Sequence, residues 1–347
     1  MAPTSELQLK TLEPRTYNLE PLMNNVLPVL VGGEALYDLI SADPGAGLGG
    51  TKTFQKRPGG SPFNIAVGIR RLDTPTSFVG KIGDDQFGEA LVDFLKNEKI
   101  EVDLIVREQG TKTTLAFVAV DGAGKVDFRF YRDNAADPSL RTSELKPIDP
   151  KRYSFYHCGG IVLAQEPTAS AYLSVVDRFT AQGIPVSLDP TIRKSLISDE
   201  ATYLARLLRL AEKVAVLKVS DEELAFLTRV DDPDEGVRLL RVPVGSLVIV
   251  TRGADGAAIY RDGEKLVNSP SFSVKVVETT GCGDSFMAAI LAQLAGKTAK
   301  EIASMTPEQL EPIARFANAE AAIVATRYGA ADANPTRAEV EAFLASR

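Results

Sequence analysis

Short apolar runs of strand length alternate with segments of helical period along most of this chain, and this alternation constrains the fold most. Residues 26–31 and 247–251 have the length and apolar content of buried strands. Residues 62–72 instead place Ile65, Ile69 and Leu72 at helical spacing. Strands that alternate with helices favour a mostly parallel sheet with helices on both faces. Further strands are predicted at 154–162, 184–188 and 214–219, and further helices at 168–182, 199–212, 285–295 and 308–327.

Two stretches interrupt the alternation. Residues 51–57 and 113–131 are typical of antiparallel strands, and the second contains a turn at Asp121–Gly122. We expect one small β-sheet, formed by about 41–58 and 111–132, grafted onto the α/β body as a lid. The sequence thus predicts an α/β domain at 28–347, preceded by an N-terminal arm at 1–27.

The composition excludes several classes of partner. Acidic residues outnumber basic ones 46 to 39, and no cluster of Lys and Arg occurs, which argues against a nucleic acid or an anionic membrane as partner. No apolar run reaches the length of a membrane span. Two distant cysteines favour a reducing compartment, and we expect the cytoplasm. One histidine, His157, argues against a His-dependent triad or a multi-His metal site.

One motif carries recognisable chemistry. Residues 278–286 read Glu-Thr-Thr-Gly-Cys-Gly-Asp-Ser-Phe and run directly into an apolar helix. Gly281 and Gly283 allow successive N–H groups to converge on one point, and the helix that begins there favours an anion. Asp284 lies in the first turn of that helix. A phosphate cradle beside a carboxylate is what phosphoryl transfer to an alcohol requires.

A structural alternative is that Gly-Cys-Gly only caps the helix and Asp284 satisfies its N-cap. Three other glycine-rich turns before helices or after strands, at 57–64, 80–88 and 251–256, favour the chemical interpretation. Each of them is a weak signal by itself, because such turns are common in α/β proteins.

In this order, these segments resemble the ribokinase-like (pfkB) carbohydrate kinase family over about residues 29–344. The family pattern near the C-terminus is Asp-Thr-Thr-Gly-Ala-Gly-Asp, so Asp284 matches the catalytic base. Gly281, Cys282 and Gly283 match the anion hole. The resemblance implies a Rossmann-like α/β/α body, a β-lid over the sugar, Mg²⁺ and ATP as cofactors, and a homodimer through the lid.

The resemblance also assigns binding residues. Asp38, Gly59, Gly60 and Asn64 match residues that bind sugar hydroxyls. Glu223 matches the acid that organises water around Mg²⁺. The positions that match the nucleotide site are Lys218, Ser220, Thr251, Gly253, Gly256 and Asn318. Structural alternatives are a helix cap for Asn64, a strand-end turn for Asp38 and plain helix surface for Asn318.

Three residues depart from the family pattern. Glu278 stands where the family has Asp, beside a loop that often binds a monovalent cation such as K⁺, and its side chain is one methylene longer. Cys282 replaces Ala and Ser220 replaces Asn. These departures motivate a second hypothesis, a catalytically silent sensor of sugar or nucleotide on the same fold.

The substrate is indicated by weaker signals. Residues 130–137, 189–193 and 218–223 look most like fructokinases, whereas 131–137 and 160–165 also look like 5-dehydro-2-deoxygluconokinases. Arg132 or Arg193 could pair with the carboxylate of a sugar acid. We expect fructose, with 2-keto-3-deoxygluconate or 5-dehydro-2-deoxygluconate as the alternative. An oxidoreductase or a P-loop kinase is disfavoured, because neither Gly-x-Gly-x-x-Gly after the first strand nor Gly-x₄-Gly-Lys-Ser/Thr occurs.

Overall fold

The computed structural model describes residues 26–122 and 126–347, so the expected arm at 1–27 lies outside them except for its last two residues. The described strands are β1 Val29–Gly32, β2 Leu36–Ser41, β3 Phe54–Gly59, β4 Thr76–Lys81, β5 Glu101–Val106, β6 Leu115–Val120, β7 Val126–Tyr131, β8 Phe155–Gly159, β9 Val186–Asp189, β10 Val216–Ser220, β11 Leu247–Thr251, β12 Ala257–Arg261 and β13 Glu264–Ser269. The helices are α1 Gly47–Gly50, α2 Ser61–Arg71, α3 Gln86–Asn97, α4 Thr168–Thr180, α5 Glu200–Ala211, α6 Asp221–Thr228, α7 Pro233–Leu239, α8 Cys282–Leu294, α9 Ala299–Ala303, α10 Pro307–Ala325 and α11 Arg337–Ala345.

The larger sheet has nine strands in the order β13–β12–β11–β10–β9–β8–β1–β4–β5. The strands from β11 to β5 run parallel to one another, whereas β12 and β13 extend one edge antiparallel. The mostly parallel sheet predicted from the sequence is confirmed.

Helices cover both faces of this sheet. Neighbouring residues of one strand enter different apolar clusters, as Phe78 and Val79 do, because successive side chains of a strand point to opposite faces. Helices α2, α8 and α10 cover one face, and α4, α5 and α6 cover the other. The α/β/α sandwich is therefore confirmed.

A second sheet of four strands has the order β3–β2–β6–β7. Strand β2 pairs with β6 in parallel and with β3 antiparallel, and β6 pairs with β7 antiparallel. The sequence predicted the segments that contain β3, β6 and β7 but not β2, because β2 follows β1 after three residues and no change in composition marks its start. The structure describes Asp121 and Gly122, where the turn was predicted, but residues 123–125, which follow them, lie outside the described part of the chain.

The topology brings the carboxyl ends of several parallel strands to one edge of the larger sheet. Gly159 at the end of β8 pairs with Asp189 at the end of β9, and Ser220 of β10 pairs with Thr251 of β11. Ligand sites of open α/β sheets lie outside this edge.

Several predicted boundaries differ from the structure by one to three residues, and two of these differences lie near the carboxyl edge of the sheet or the start of α8. The predicted strand 154–162 ends at Gly159, because Gly160 has a positive φ of 85° and starts a 3₁₀ turn at Ile161–Ala164. The predicted helix 285–295 begins earlier, at Cys282. Among the described helices, none is long and apolar enough to cross a membrane.

Candidate active site

The carboxylate of Asp284 joins the starts of two helices. Asp284 lies in the first turn of α8, and its Oδ1 accepts a hydrogen bond from Ser61 Oγ at 2.7 Å. Its Oδ2 accepts one from Asn64 Nδ2 at 2.8 Å, and both donors belong to α2. Gly281 is the N-cap of α8 and no side chain caps this helix. The alternative in which Asp284 caps its own helix is therefore wrong.

The loop before α8 has the conformation expected of an anion cradle. Gly281 has a φ of 80°, and a Cβ there would lie 2.9 Å from the Cβ of Ala330, so both backbone and space require glycine. The N–H of Cys282 donates to Thr279 O at 3.2 Å, whereas no backbone acceptor is found among the described residues for the N–H groups of Gly283 and Asp284. The N–H of Gly281 likewise has no backbone acceptor among these residues, so of the three residues that match the anion hole, Gly281 and Gly283 keep a free donor and Cys282 does not.

A buried lysine lies beside this loop. Lys218, on β10, places its Nζ 2.6 Å from Asp189 Oδ2. The same Nζ would be 3.2 Å from a Cβ on Gly283. Burial lowers the pKa of Lys218, but the carboxylates of Asp189 and Glu223 raise it by more, so the side chain stays protonated. A fixed positive charge thus lies against the anion loop.

The residues predicted to bind sugar lie on the other side of Asp284. Asp38, on β2, lies against Gly59, where a Cβ would overlap its carboxylate. Burial and, to a smaller extent, the Asp284 carboxylate raise the pKa of Asp38 to about 7, although Arg193 acts in the opposite direction. Gly60 has a φ of 101°, and a Cβ there would be 2.6 Å from the carbonyl oxygen of Glu34. Asn64 therefore bonds to the Asp284 carboxylate, Asp38 lies near enough to be affected by its charge, and Gly59 and Gly60 directly precede Ser61. Asp38 lies within a strand rather than in a turn.

The residues predicted to bind nucleotide lie towards β11 and β13. Thr251 ends β11, and Gly253 follows it with a φ of 53° and open space around its Cα. Gly256 packs against the backbone of residues 269–271. Asn318 is buried and donates to Ser269 O at 3.1 Å and to Ser269 Oγ at 2.9 Å. The surface alternative for Asn318 is wrong, because its amide fixes the end of β13 to α10.

The arrangement agrees with comparisons with known proteins. The family model of the pfkB family carbohydrate kinases matches residues 28–337. The chain belongs to this family. It is 37% identical over 319 residues to a probable chloroplastic fructokinase-6 of Arabidopsis thaliana, covering 91% of this chain and 82% of that protein. It is also 37% identical to fructokinase-1 of Zea mays, covering 89% and 94% of the two chains.

Solved structures agree with this membership. The fructokinase of Xylella fastidiosa with bound ATP superposes with a TM-score of 0.83 at 30% identity, covering 92% of this chain and 98% of that one. A fructokinase double mutant of Vibrio cholerae O395, with fructose, ADP and potassium ion bound, gives a TM-score of 0.80 at 29% identity, with the same coverage. As a pfkB carbohydrate kinase, the protein is a phosphotransferase that acts on a sugar hydroxyl.

Glu223, which matches the acid that the family uses near Mg²⁺, forms hydrogen bonds within the protein. Glu223 Oε2 accepts from Ser220 N at 2.9 Å, while Ser220 Oγ accepts from Glu223 N at 3.1 Å. The two residues form a capping box at the start of α6. Glu223 Oε1 accepts from Ile192 N at 2.8 Å. Ser220, which departs from the family pattern, therefore has a helix-capping role, and the nucleotide and metal roles stay predictions.

The two arginines considered for a substrate carboxylate differ in their surroundings. Arg132 is buried, and its Nη2 forms an ion pair with the buried carboxylate of Asp137. Arg193 is exposed, lies 5.5 Å from the ring centroid of Phe128 on β7, and is close enough to Asp38 to lower its pKa. The structure thus brings Arg193 towards the predicted sugar side and gives Arg132 a partner within the protein.

Sequence reasoning missed three residues of the site. Ser61 bonds to Asp284, and Thr191 Oγ1 donates to Ser61 Oγ at 3.0 Å. Thr191 has a φ of 47°, a strained conformation for a β-branched residue that occurs mainly at functional sites. Asp189 pairs with Lys218. Asp189 and Thr191 both lie in the segment 189–193 that resembles fructokinases, directly after a predicted strand, but that resemblance gave neither residue a role.

The two departures near the loop keep the site intact. Burial raises the pKa of the Cys282 thiol to about 12, and the carboxylates of Asp284 and Glu278 add to this effect. The thiolate needed for oxidation or alkylation is therefore disfavoured. Glu278 Oε2 accepts from Gly329 N at 3.1 Å, so its longer side chain is anchored to the loop after α10.

Proposed function

We propose that the protein is a fructokinase, which transfers the terminal phosphoryl group of ATP to a hydroxyl of fructose in the presence of Mg²⁺. The observation that carries the proposal is the Asp284 carboxylate, oriented by Ser61 and Asn64 at the edge of the anion loop. The fructokinase relatives in plants and bacteria support the choice of sugar.

In this proposal Asp284 accepts the proton of the attacking sugar hydroxyl. Its bonds from Ser61 and Asn64 leave lone pairs free for that proton and fix their direction. The N–H groups of Gly283 and Asp284 stabilise charge on the transferring phosphoryl group. Lys218 adds a positive charge from beneath the loop, although Asp189 compensates part of it.

The charges around Asp284 favour a neutral sugar over a sugar acid. The negative charges of Asp284 and Glu278 both raise the pKa of Asp38, so like charges lie near one another on this side of the site. A substrate carboxylate placed beside them would be repelled. Arg132 is already paired with Asp137, and among the arginines of residues 26–122 and 126–347 only Arg193 lowers the pKa of Asp38. Fructose is therefore preferred to 2-keto-3-deoxygluconate and 5-dehydro-2-deoxygluconate.

The surroundings of the anion loop fit a divalent cation bound mainly through phosphate oxygens and water. No cluster of three potential ligands occurs in the part of the chain that the structure describes. Glu223 would hold the Mg²⁺ ion through water, since each of its oxygens keeps a lone pair beside the bond that it accepts. Bound Mg²⁺ neutralises phosphate charge during transfer. Glu278, anchored by Gly329, would stand nearest to a K⁺ ion.

A coupled assay of ADP formation with a sugar panel tests this proposal. Fructose with ATP and Mg²⁺ should give the highest kcat/KM, and the product should be a fructose phosphate by mass spectrometry. Turnover of a sugar acid in preference to fructose would refute the choice of substrate. Assays with K⁺ and with Na⁺ in its place measure the cation dependence.

Three further expectations belong to the proposal. The four-stranded sheet acts as a lid over the sugar, with a homodimer through the lid, which light scattering after gel filtration tests. The described cysteines are both free, which suits a cytoplasmic location, and a fluorescent fusion tests it. No nucleic acid or membrane partner is expected from the net charge of −7.

A further inference from the structure

One ion pair connects the small sheet to the body of the protein near the active site. Arg57, on β3, places its Nη1 2.9 Å from Asp332 Oδ2, in the loop between α10 and α11. Both side chains are about one-third exposed, at 30% and 32%. Among the ion pairs of residues 26–122 and 126–347, this pair alone joins a strand of the small sheet to the rest of the chain.

Arg57 is on the sheet face that carries Asp38. The two residues are directly opposite one another in the antiparallel pairing of β2 and β3. Side chains of directly opposite residues lie on the same face of a sheet. The ion pair of Arg57 therefore restrains the part of the sheet that carries Asp38.

Asp332 belongs to a loop that is fixed to α2. Arg71 Nη1 donates to Asp332 O at 3.0 Å and to Asn334 O at 2.7 Å. Asn334 Nδ2 donates to Asn64 O at 3.2 Å. Helix α2 also supplies both hydrogen-bond donors to Asp284. Asp332 is therefore held in a fixed position relative to the base.

The same loop touches the anion cradle. Ala330 packs against Gly281, and Gly329 N donates to Glu278 Oε2. Strand β3 ends two residues after Arg57, at Gly59, and the chain then turns through Gly60 into α2. The ion pair thus lies beside the point at which the small sheet leaves the body.

We infer that Arg57 and Asp332 form a latch that positions the small sheet, and with it Asp38, over Asp284. Arg57 is a positioning residue and contacts neither substrate in this inference. Its effect is on sugar binding, because Asp38 is carried by the neighbouring strand, whereas the base and the anion loop are held by other contacts. The inference rests on the proposed function for its kinetic test.

A double-mutant cycle in the full-length enzyme tests the latch. Arg57→Gln and Asp332→Asn should each raise the KM for fructose by up to about fivefold, the range of a partly exposed ion pair, with kcat nearly unchanged. The KM of the double variant should be no higher than that of the more impaired single variant, because each residue acts only through the other. Lys52→Gln, which removes a positive charge from the loop before β3, is the matched control and should keep the KM of the wild type.

If the increases in KM of the two single variants multiply in the double variant, the latch is refuted. An unchanged KM in both single variants would also refute it. Hydrogen exchange gives a test that needs no substrate. The amides of residues 54–59 should exchange faster in Arg57→Gln and in Asp332→Asn than in Lys52→Gln. If fructose is not phosphorylated, the proposed function fails, while equal exchange in all three variants would reject the latch separately.

Discussion

Replacement of Asp284 by Asn is the most direct test of the catalytic assignment. An amide cannot take up the proton of the sugar hydroxyl, but it has almost the shape of the carboxylate. Its Oδ1 can still accept from Asn64 Nδ2, and its Nδ2 can donate to Ser61 Oγ, which now lies 2.7 Å from the carboxylate. The fold should therefore lose no more than about 1 kcal/mol, the usual net value of a hydrogen bond.

The catalytic loss should be much larger than the loss of stability. General-base catalysis contributes about 10²–10⁴-fold, which corresponds to about 3–5 kcal/mol of activation free energy. We expect kcat in the coupled assay to fall by at least about 10²-fold, with a similar thermal midpoint and with ATP binding by calorimetry retained. Asp93→Asn, on the exposed side of α3, is the matched control. A kcat within about threefold of the wild type would refute the role of Asp284 as general base.

Three further predictions concern its neighbours. Ser61→Ala should lower kcat by about tenfold, because a hydrogen bond to a charged group is lost; an unchanged kcat would mean that Asn64 suffices. The KM for fructose should rise as the pH falls through about 7, since Asp38 then becomes protonated and loses the negative charge that strengthens a hydrogen bond from a sugar hydroxyl, and Asp38→Asn should remove this dependence. Iodoacetamide at neutral pH should leave Cys282 largely unmodified, because the raised pKa of the thiol disfavours the thiolate, and peptide mass spectrometry measures the labelling.

The fold was largely predictable because apolar periodicity reports burial. Strands β8, β9, β10 and β11 are almost entirely buried and appear in the sequence as short, mostly apolar segments, of which β11 is apolar up to its last residue. Strand β2 has four partly exposed residues out of six and was not recognised. The chain passes from the larger sheet to the small sheet within the three residues between β1 and β2. Which sheet a strand joins depends on contacts that local periodicity does not encode.

The site was predictable where one segment contains its own chemistry. The loop at 278–286 joins glycine, a helix start and a carboxylate, so the sequence alone was sufficient for Asp284. The partners of Asp284 come from residues more than two hundred positions away in the sequence. Ser61 and Thr191 lie in the segments 57–64 and 189–193 singled out from the sequence, but their roles depend on the packing of α2 against α8 and on the turn after β9, which the sequence does not show.

The departures from the family pattern do not support a catalytically silent sensor. Such a protein would be expected to lose the base or its orientation, yet Asp284 keeps two donors at ordinary hydrogen-bond distances. Ser220 caps α6 through its hydroxyl, so the replacement of Asn preserves the helix start that carries Glu223. Burial raises the pKa of the Cys282 thiol and disfavours the thiolate, and the free loop donors belong to the residues on either side of it. Because Ser220 and Glu278 form structural hydrogen bonds and Cys282 leaves the neighbouring loop donors free, turnover is the expected property of this site.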